Sequence, residues 1–145
     1  MPSKPRTVRQ AWLTLFTAFM AGQVVLVGLG LFFALGGNEL GLDASKKLDA
    51  MQQVFQSCTA IGVIACITLA RAKLNANTVQ SPQDLFRGTV TCLSVGEMTV
   101  LVALVGLSKL HLTQFLIAAS LVFIVDFGLI LPLSLKLLGQ PAPKN

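Results

Sequence analysis

Along most of this chain the apolar residues neither alternate with polar ones, as in a half-buried strand, nor fall on one side of a helix, as in a surface helix. They form four long runs, 11–35, 50–70, 88–108 and 112–135, which contain no lysine or arginine and at most one acidic residue each. A helix rises about 1.5 Å per residue, so about 20 residues cross the roughly 30 Å of a bilayer's hydrocarbon, and every run reaches that length. A helix that is apolar all round must be buried or face lipid. The pattern predicts an all-α integral membrane protein, a single transmembrane domain folded as a four-helix bundle of two hairpins, with the lipid bilayer as its first partner. The segments between the runs are too short to fold as a separate domain.

Local signals refine the boundaries. Ser81 followed by Pro82 reads as a helix N-cap with proline at the first position, so the third helix is expected to open with a short amphipathic turn, PQDLFRG, at the interface. Pro132 lies near the end of the fourth run, where a membrane helix tolerates a kink and a freed carbonyl. The run from Ala11 is about twice as long as a signal-peptide core, and no clear A-x-A site follows it, so it is read as a retained first helix. Trp12, at its start, suits an interfacial anchor.

Composition agrees: 54% of the 145 residues are hydrophobic, 12% are charged, and the mean hydropathy is +0.75, against about 25% charged in a soluble domain. The net charge of +5 does not point to nucleic acid, because the basic residues flank the apolar runs and form no stripe with interleaved aromatics. Lys4, Arg6, Arg9, Arg71, Lys73, Arg87, Lys136 and Lys144 fall on one side, and Lys46, Lys47 and Lys109 on the other, 8 against 3. The positive-inside rule then places both termini and the loop 71–87 in the cytoplasm of a plasma (inner) membrane protein. The loop with Glu39, Asp43, Lys46, Lys47 and Asp49 faces out and reads as a solvated surface.

Against this apolar background the polar residues inside the runs stand out. Counted from the cytoplasmic ends, Gln23 lies about 12 residues in, Glu97 about 9, and Asp126 about 10, with Thr59 at a similar depth. All fall within a turn or two of the bilayer midplane. An acidic residue there costs about 2.5 to 3.5 kcal/mol on insertion scales, which the surrounding apolar residues offset at about 0.3 to 0.6 kcal/mol each. Two such acids are not needed for insertion, and intramembrane acids are the material of ion and proton relays. The expected states are a protonated acid donating a hydrogen bond, a pair sharing one proton, or a carboxylate holding an ion. Glu97, Asp126, Gln23 and Thr59 are accordingly the candidate ion-binding residues, for H⁺ or Na⁺. The competing reading is structural: a protonated acid that fixes helix packing, or a contact to a partner's base.

Other chemistry recedes. His111 is the single histidine and falls at the outer boundary, so no multi-histidine metal or bis-histidine haem site can be assembled. Cys58, Cys66 and Cys92 lie inside the runs and read as packing residues. No phosphate-binding, zinc-protease or nucleophile-elbow motif is present, and independent catalytic activity is not expected. Small residues such as Gly22, Gly28, Gly62 and Gly96 suit close helix packing, within one bundle or between copies. The stretch 22–27 can be laid on 96–101 at an offset of 74, with only the glycine identical.

Gly96, Glu97, Ala103 and Leu104 resemble the ion-carrying helix of the proteolipid (subunit c) family of rotary ATPases, which places an acid after a small residue, with a small residue and leucine six and seven positions on. The resemblance covers roughly 15 residues. It implies that Glu97 binds the transported H⁺ or Na⁺, on the second helix of a hairpin with a cytoplasmic loop. The leading expectation is an H⁺- or Na⁺-handling membrane subunit in which Glu97 is the exchangeable site, Asp126 its partner or relay, and Gln23 and Thr59 complete the polar layer, as a homo-oligomer or a component among other membrane subunits. The alternative is a non-catalytic accessory subunit of a larger membrane complex. Third comes a small proton-coupled transporter, similar to four-helix drug/proton antiporters, whose membrane glutamate sits in the first helix where this chain has Gln23.

Overall fold

The computed structural model describes residues 7–36, 50–106 and 112–139. The charged loop 37–49, the turn with Lys109 and His111, and the two chain ends lie outside the described residues. The described chain is all-α: α1 (Val8–Gly36), α2 (Ala50–Lys73), α3 (Pro82–Val105), and a fourth span built of α4 (Leu112–Val125), a π turn (Asp126–Ile130) and α5 (Leu131–Leu138). Four helices are long and apolar enough to cross a membrane. At the end that carries the basic residues all four extend past the apolar stretches, because backbone hydrogen bonding continues into polar flanks; α2 runs through Arg71 to Lys73.

Contacts fix the relative direction of the helices. Trp12 meets Thr89, Gly22 meets Glu97, and Gly30 meets Leu104, so α1 and α3 advance in parallel. Leu74 lies on Gly88, Cys66 on Cys92, and Gly62 on Thr99, so α2 runs against α3. The fourth span opposes α1, with Gly30 on Phe115 and Gln23 on Asp126. The principal neighbours of both α1 and α2 are α3 and the fourth span, and α1 and α2 are not principal neighbours of each other. The best-buried helix is α3, while α1 and α2 turn Val24, Val25, Phe32, Ile61 and Ile64 outward, as helices in lipid do.

The start of α3 follows the sequence. Ser81 caps it in an extended conformation; its hydroxyl accepts from the Asp84 backbone N–H at 3.2 Å, and the Asp84 carboxylate accepts from the Ser81 N–H at 3.0 Å. This reciprocal box satisfies two donors that a helix start leaves open. Trp12 departs from expectation. Instead of facing the interface it is fully buried, stacked on Phe16 at 5.2 Å, with its indole N–H donating to Thr89 Oγ1 at 3.1 Å. The reason is the parallel packing of α1 on α3, which offers the N–H a hydroxyl inside the bundle.

The fourth span carries a feature absent from the sequence reading. Its helix widens into a π turn at Asp126, where the Leu131 N–H donates to the Asp126 carbonyl, five residues back. Pro132, in the first turn of α5, has no N–H to give to Gly128, four residues back, and its ring crowds that carbonyl. A widened turn ahead of the proline relieves both.

Replacing Ser81 by Ala is expected to destabilise the protein by about 1 kcal/mol and to speed amide exchange in the first turn of α3, leaving the other helices unchanged. Hydrogen-exchange mass spectrometry in detergent measures both.

Candidate functional site

The site is assembled around Gly96. A glycine there removes the side chain that would separate α1 from the fourth span, since a Cβ at this position would stand 3.0 Å from Val122 Cγ1, 3.5 Å from Gln23 Nε2 and 3.6 Å from Asp126 Oδ1. Over that gap the Gln23 side-chain amide donates to Asp126 Oδ2 at 2.6 Å. Both residues are 0% exposed. The other two oxygens of the pair, Gln23 Oε1 and Asp126 Oδ1, are buried without a hydrogen-bond partner. An unsatisfied buried polar atom costs about 1–3 kcal/mol, and few native groups are left so.

Glu97, the next residue on α3, points the other way along α1. It is half-buried, and its carboxylate rests over Gly22, where a Cβ would come within 2.6 Å of Glu97 Oε1. The two dipeptides Gly22-Gln23 and Gly96-Glu97 thus face each other reciprocally, each glycine receiving the polar side chain of the other helix. They are the segments that align in the sequence at an offset of 74.

Thr59 is not brought to this level. Its hydroxyl donates to the Phe55 carbonyl of its own helix at 2.9 Å. Since Gly62 lies on Thr99 and Cys66 on Cys92, the level of Gly96 falls between residues 62 and 66 of α2, about a turn or more from Thr59. A depth count from Ala70 begins short, because α2 continues to Lys73 and meets Gly88 there. What α2 offers near Gly96 is Val63 and Cys66, both buried.

Two further polar contacts bracket the site. Towards the start of α1, Thr89 joins Trp12 to Ser134 on α5, the two hydroxyl oxygens 3.4 Å apart. Towards the opposite end, Gln52 on α2 donates to Gln114 on α4 at 3.4 Å. Sequence reasoning missed Thr89 and Ser134, since single hydroxyls are common in membrane helices and carry little penalty; their signal is a seven-residue spacing from Thr89 to Gly96 on one face of α3. Cys66 and Cys92 are free and buried, with the Cys66 thiol donating to the Cys92 carbonyl at 3.4 Å. Among the described residues no group of three His, Cys, Asp or Glu side chains forms a metal-ion cluster.

No family model, curated protein or solved structure matches the chain.

Because Val122 is itself 1% exposed and cannot swing away, Gly96→Ala is expected to overpack the site and cost about 1–3 kcal/mol. Gly22→Ala meets only the end of the flexible Glu97 side chain and is expected to cost less than about 1 kcal/mol. Thermal unfolding of the two variants in the same detergent gives the order.

Proposed function

We propose that the chain is an H⁺- or Na⁺-handling membrane subunit whose exchangeable site is the Asp126–Gln23 carboxyl–amide pair, with Glu97 as the second carboxyl beside it. The observation that carries this reading is the pair's unfinished hydrogen bonding: one N–H···O contact at 2.6 Å and two buried oxygens without partners. A carboxylic acid and a primary amide can form two hydrogen bonds at once, the amide N–H to one acid oxygen and the acid O–H to the amide oxygen. One proton placed on Asp126 Oδ1 supplies the donor that Gln23 Oε1 lacks. The same two side chains therefore suit a loaded state with two bonds and an unloaded state with one, the arrangement a proton-exchange site requires.

A proton is favoured over Na⁺. A bare cation needs a shell of oxygens, and Thr59, the neutral ligand expected from α2, stands about a turn or more from the level of Gly96. Glu97, half-buried against Gly22, is suited to pass protons between the enclosed pair and the bundle surface. In this reading the helices form two hairpins in the plasma (inner) membrane, with both termini and the α2–α3 connection cytoplasmic, following the excess of basic residues at that end.

The partial exposure of Glu97 also favours a second reading, an accessory subunit of a larger membrane complex in which a partner's basic residue meets this carboxylate. The two readings separate by what substitutions change.

For the protein reconstituted in vesicles with a pH-sensitive dye inside, Asp126→Asn is expected to abolish protein-dependent proton flux and to remove a carboxylic-acid C=O stretch from the infrared difference spectrum; Glu97→Gln is expected to slow the flux. Wild-type flux in both variants overturns the proton site. A lower yield of an assembled complex from the host membrane, with unchanged turnover per complex, supports the accessory reading instead.

A further inference from the structure

At the end of the bundle that carries most of its basic residues, α2 and α5 part around a cavity of about 390 Å³. Its polar lining is Arg71, Asn75 and Lys136, and its apolar wall includes Leu129, Leu133 and Leu137. The leucines are four residues apart along the fourth span and make one strip leading from the cations into the hydrocarbon. The Asn75 carboxamide oxygen accepts from the Asn77 N–H at 3.3 Å, which leaves its NH₂ group as a donor. Six acids occur in the whole chain; among the described residues Asp84 is the one at this end, and its carboxylate is engaged by Ser81. Both α2 and α5 end here, presenting carbonyls and the negative ends of their dipoles. An anion at this place has to be held by side chains.

We propose that the cavity binds the phosphate of an anionic phospholipid, held by Arg71 and Lys136 with Asn75 as an added donor, and that an acyl chain lies along the strip Leu129, Leu133, Leu137. Two cations, with no carboxylate in the lining among the described residues, favour a headgroup of net negative charge over a zwitterionic one, whose choline would be repelled. Basic recesses between membrane helices are suited to such headgroups. The site lies apart from the Asp126–Gln23 pair and does not depend on its function.

The test is lipid binding by native mass spectrometry of the full chain in mild detergent, titrated with phosphatidylglycerol or phosphatidylcholine, with thermal unfolding alongside. Near-surface cations contribute about a five-fold gain each, so wild type is expected to prefer phosphatidylglycerol by about thirty-fold and to unfold at a higher temperature in its presence. Arg71→Gln with Lys136→Gln is expected to lose that preference, and Arg9→Gln, at a cation outside the cavity, to keep it. Leu133→Trp, which keeps both cations but fills the apolar wall, is expected to weaken phosphatidylglycerol binding and serves if the double variant does not fold. The proposal is overturned if wild type shows no preference, if Arg9→Gln loses as much as the double variant, or if inorganic phosphate displaces the lipid and stabilises the protein equally, which would assign the cavity to a free anion.

Discussion

Hydrocarbon offers a buried polar group no water, so every such group in a membrane bundle must find its partner on its own helix or a neighbouring one. In this chain that constraint organises the packing. Thr89 draws Trp12 and Ser134 together, Gln52 reaches Gln114, and between them Gln23 crosses to Asp126. The contacts at Thr89 and Gly96 lie on α3, which is why α3 is the best-buried helix and why α1 and α2 are arranged around it and the fourth span rather than around each other. Without a side chain at Gly96 the amide and the carboxyl can meet across it. Any larger residue would have to displace Val122 or the pair itself.

The central level differs from the other two in being incomplete. The hydroxyl, indole and carboxamide contacts at the ends use neutral groups and serve as cross-links. Asp126 and Gln23 keep two oxygens unpaired at full burial, and a second carboxylate lies on the next residue after Gly96. A pair made only for stability would gain by closing its remaining bond or by giving way to apolar side chains of similar volume. That is the physical reason for reading this level as a working site and the other two as structural.

The helices and the polar level were legible because an ionisable group deep in a long apolar run is a costly exception: Glu97 and Asp126 are the two acids inside the runs, and Gln23 lies at a similar depth. Which of them meet was not legible, since depth along a helix says nothing about direction around it. Gln23 and Asp126 share a face through Gly96, whereas Glu97, one residue on, turns about 100° away and settles on Gly22. Thr59 was misplaced because an apolar run marks where hydrocarbon begins, not where two helices cross. Trp12 looked interfacial because its chemistry fits a headgroup as well as it fits a hydroxyl, and only the parallel packing of α1 on α3 decides between them.

The π turn has a consequence for the phase of the fourth span. Val122, Asp126, Ile130 and Ser134 are all buried and spaced by four; in an unbroken α-helix, at about 100° per residue, the last would stand about 120° around from the first. Widening one turn absorbs one residue, so the twelve steps act as eleven and the difference falls to about 20°. Asp126 can therefore face Gln23 while Ser134 still faces Thr89. The span thereby holds one residue more than regular winding requires, and a single-residue deletion just after Asp126 restores ordinary winding with both contacts still turned inward, at the cost of the proline crowding that the widened turn relieves. The same deletion in α1 would rotate everything beyond it by about 100°.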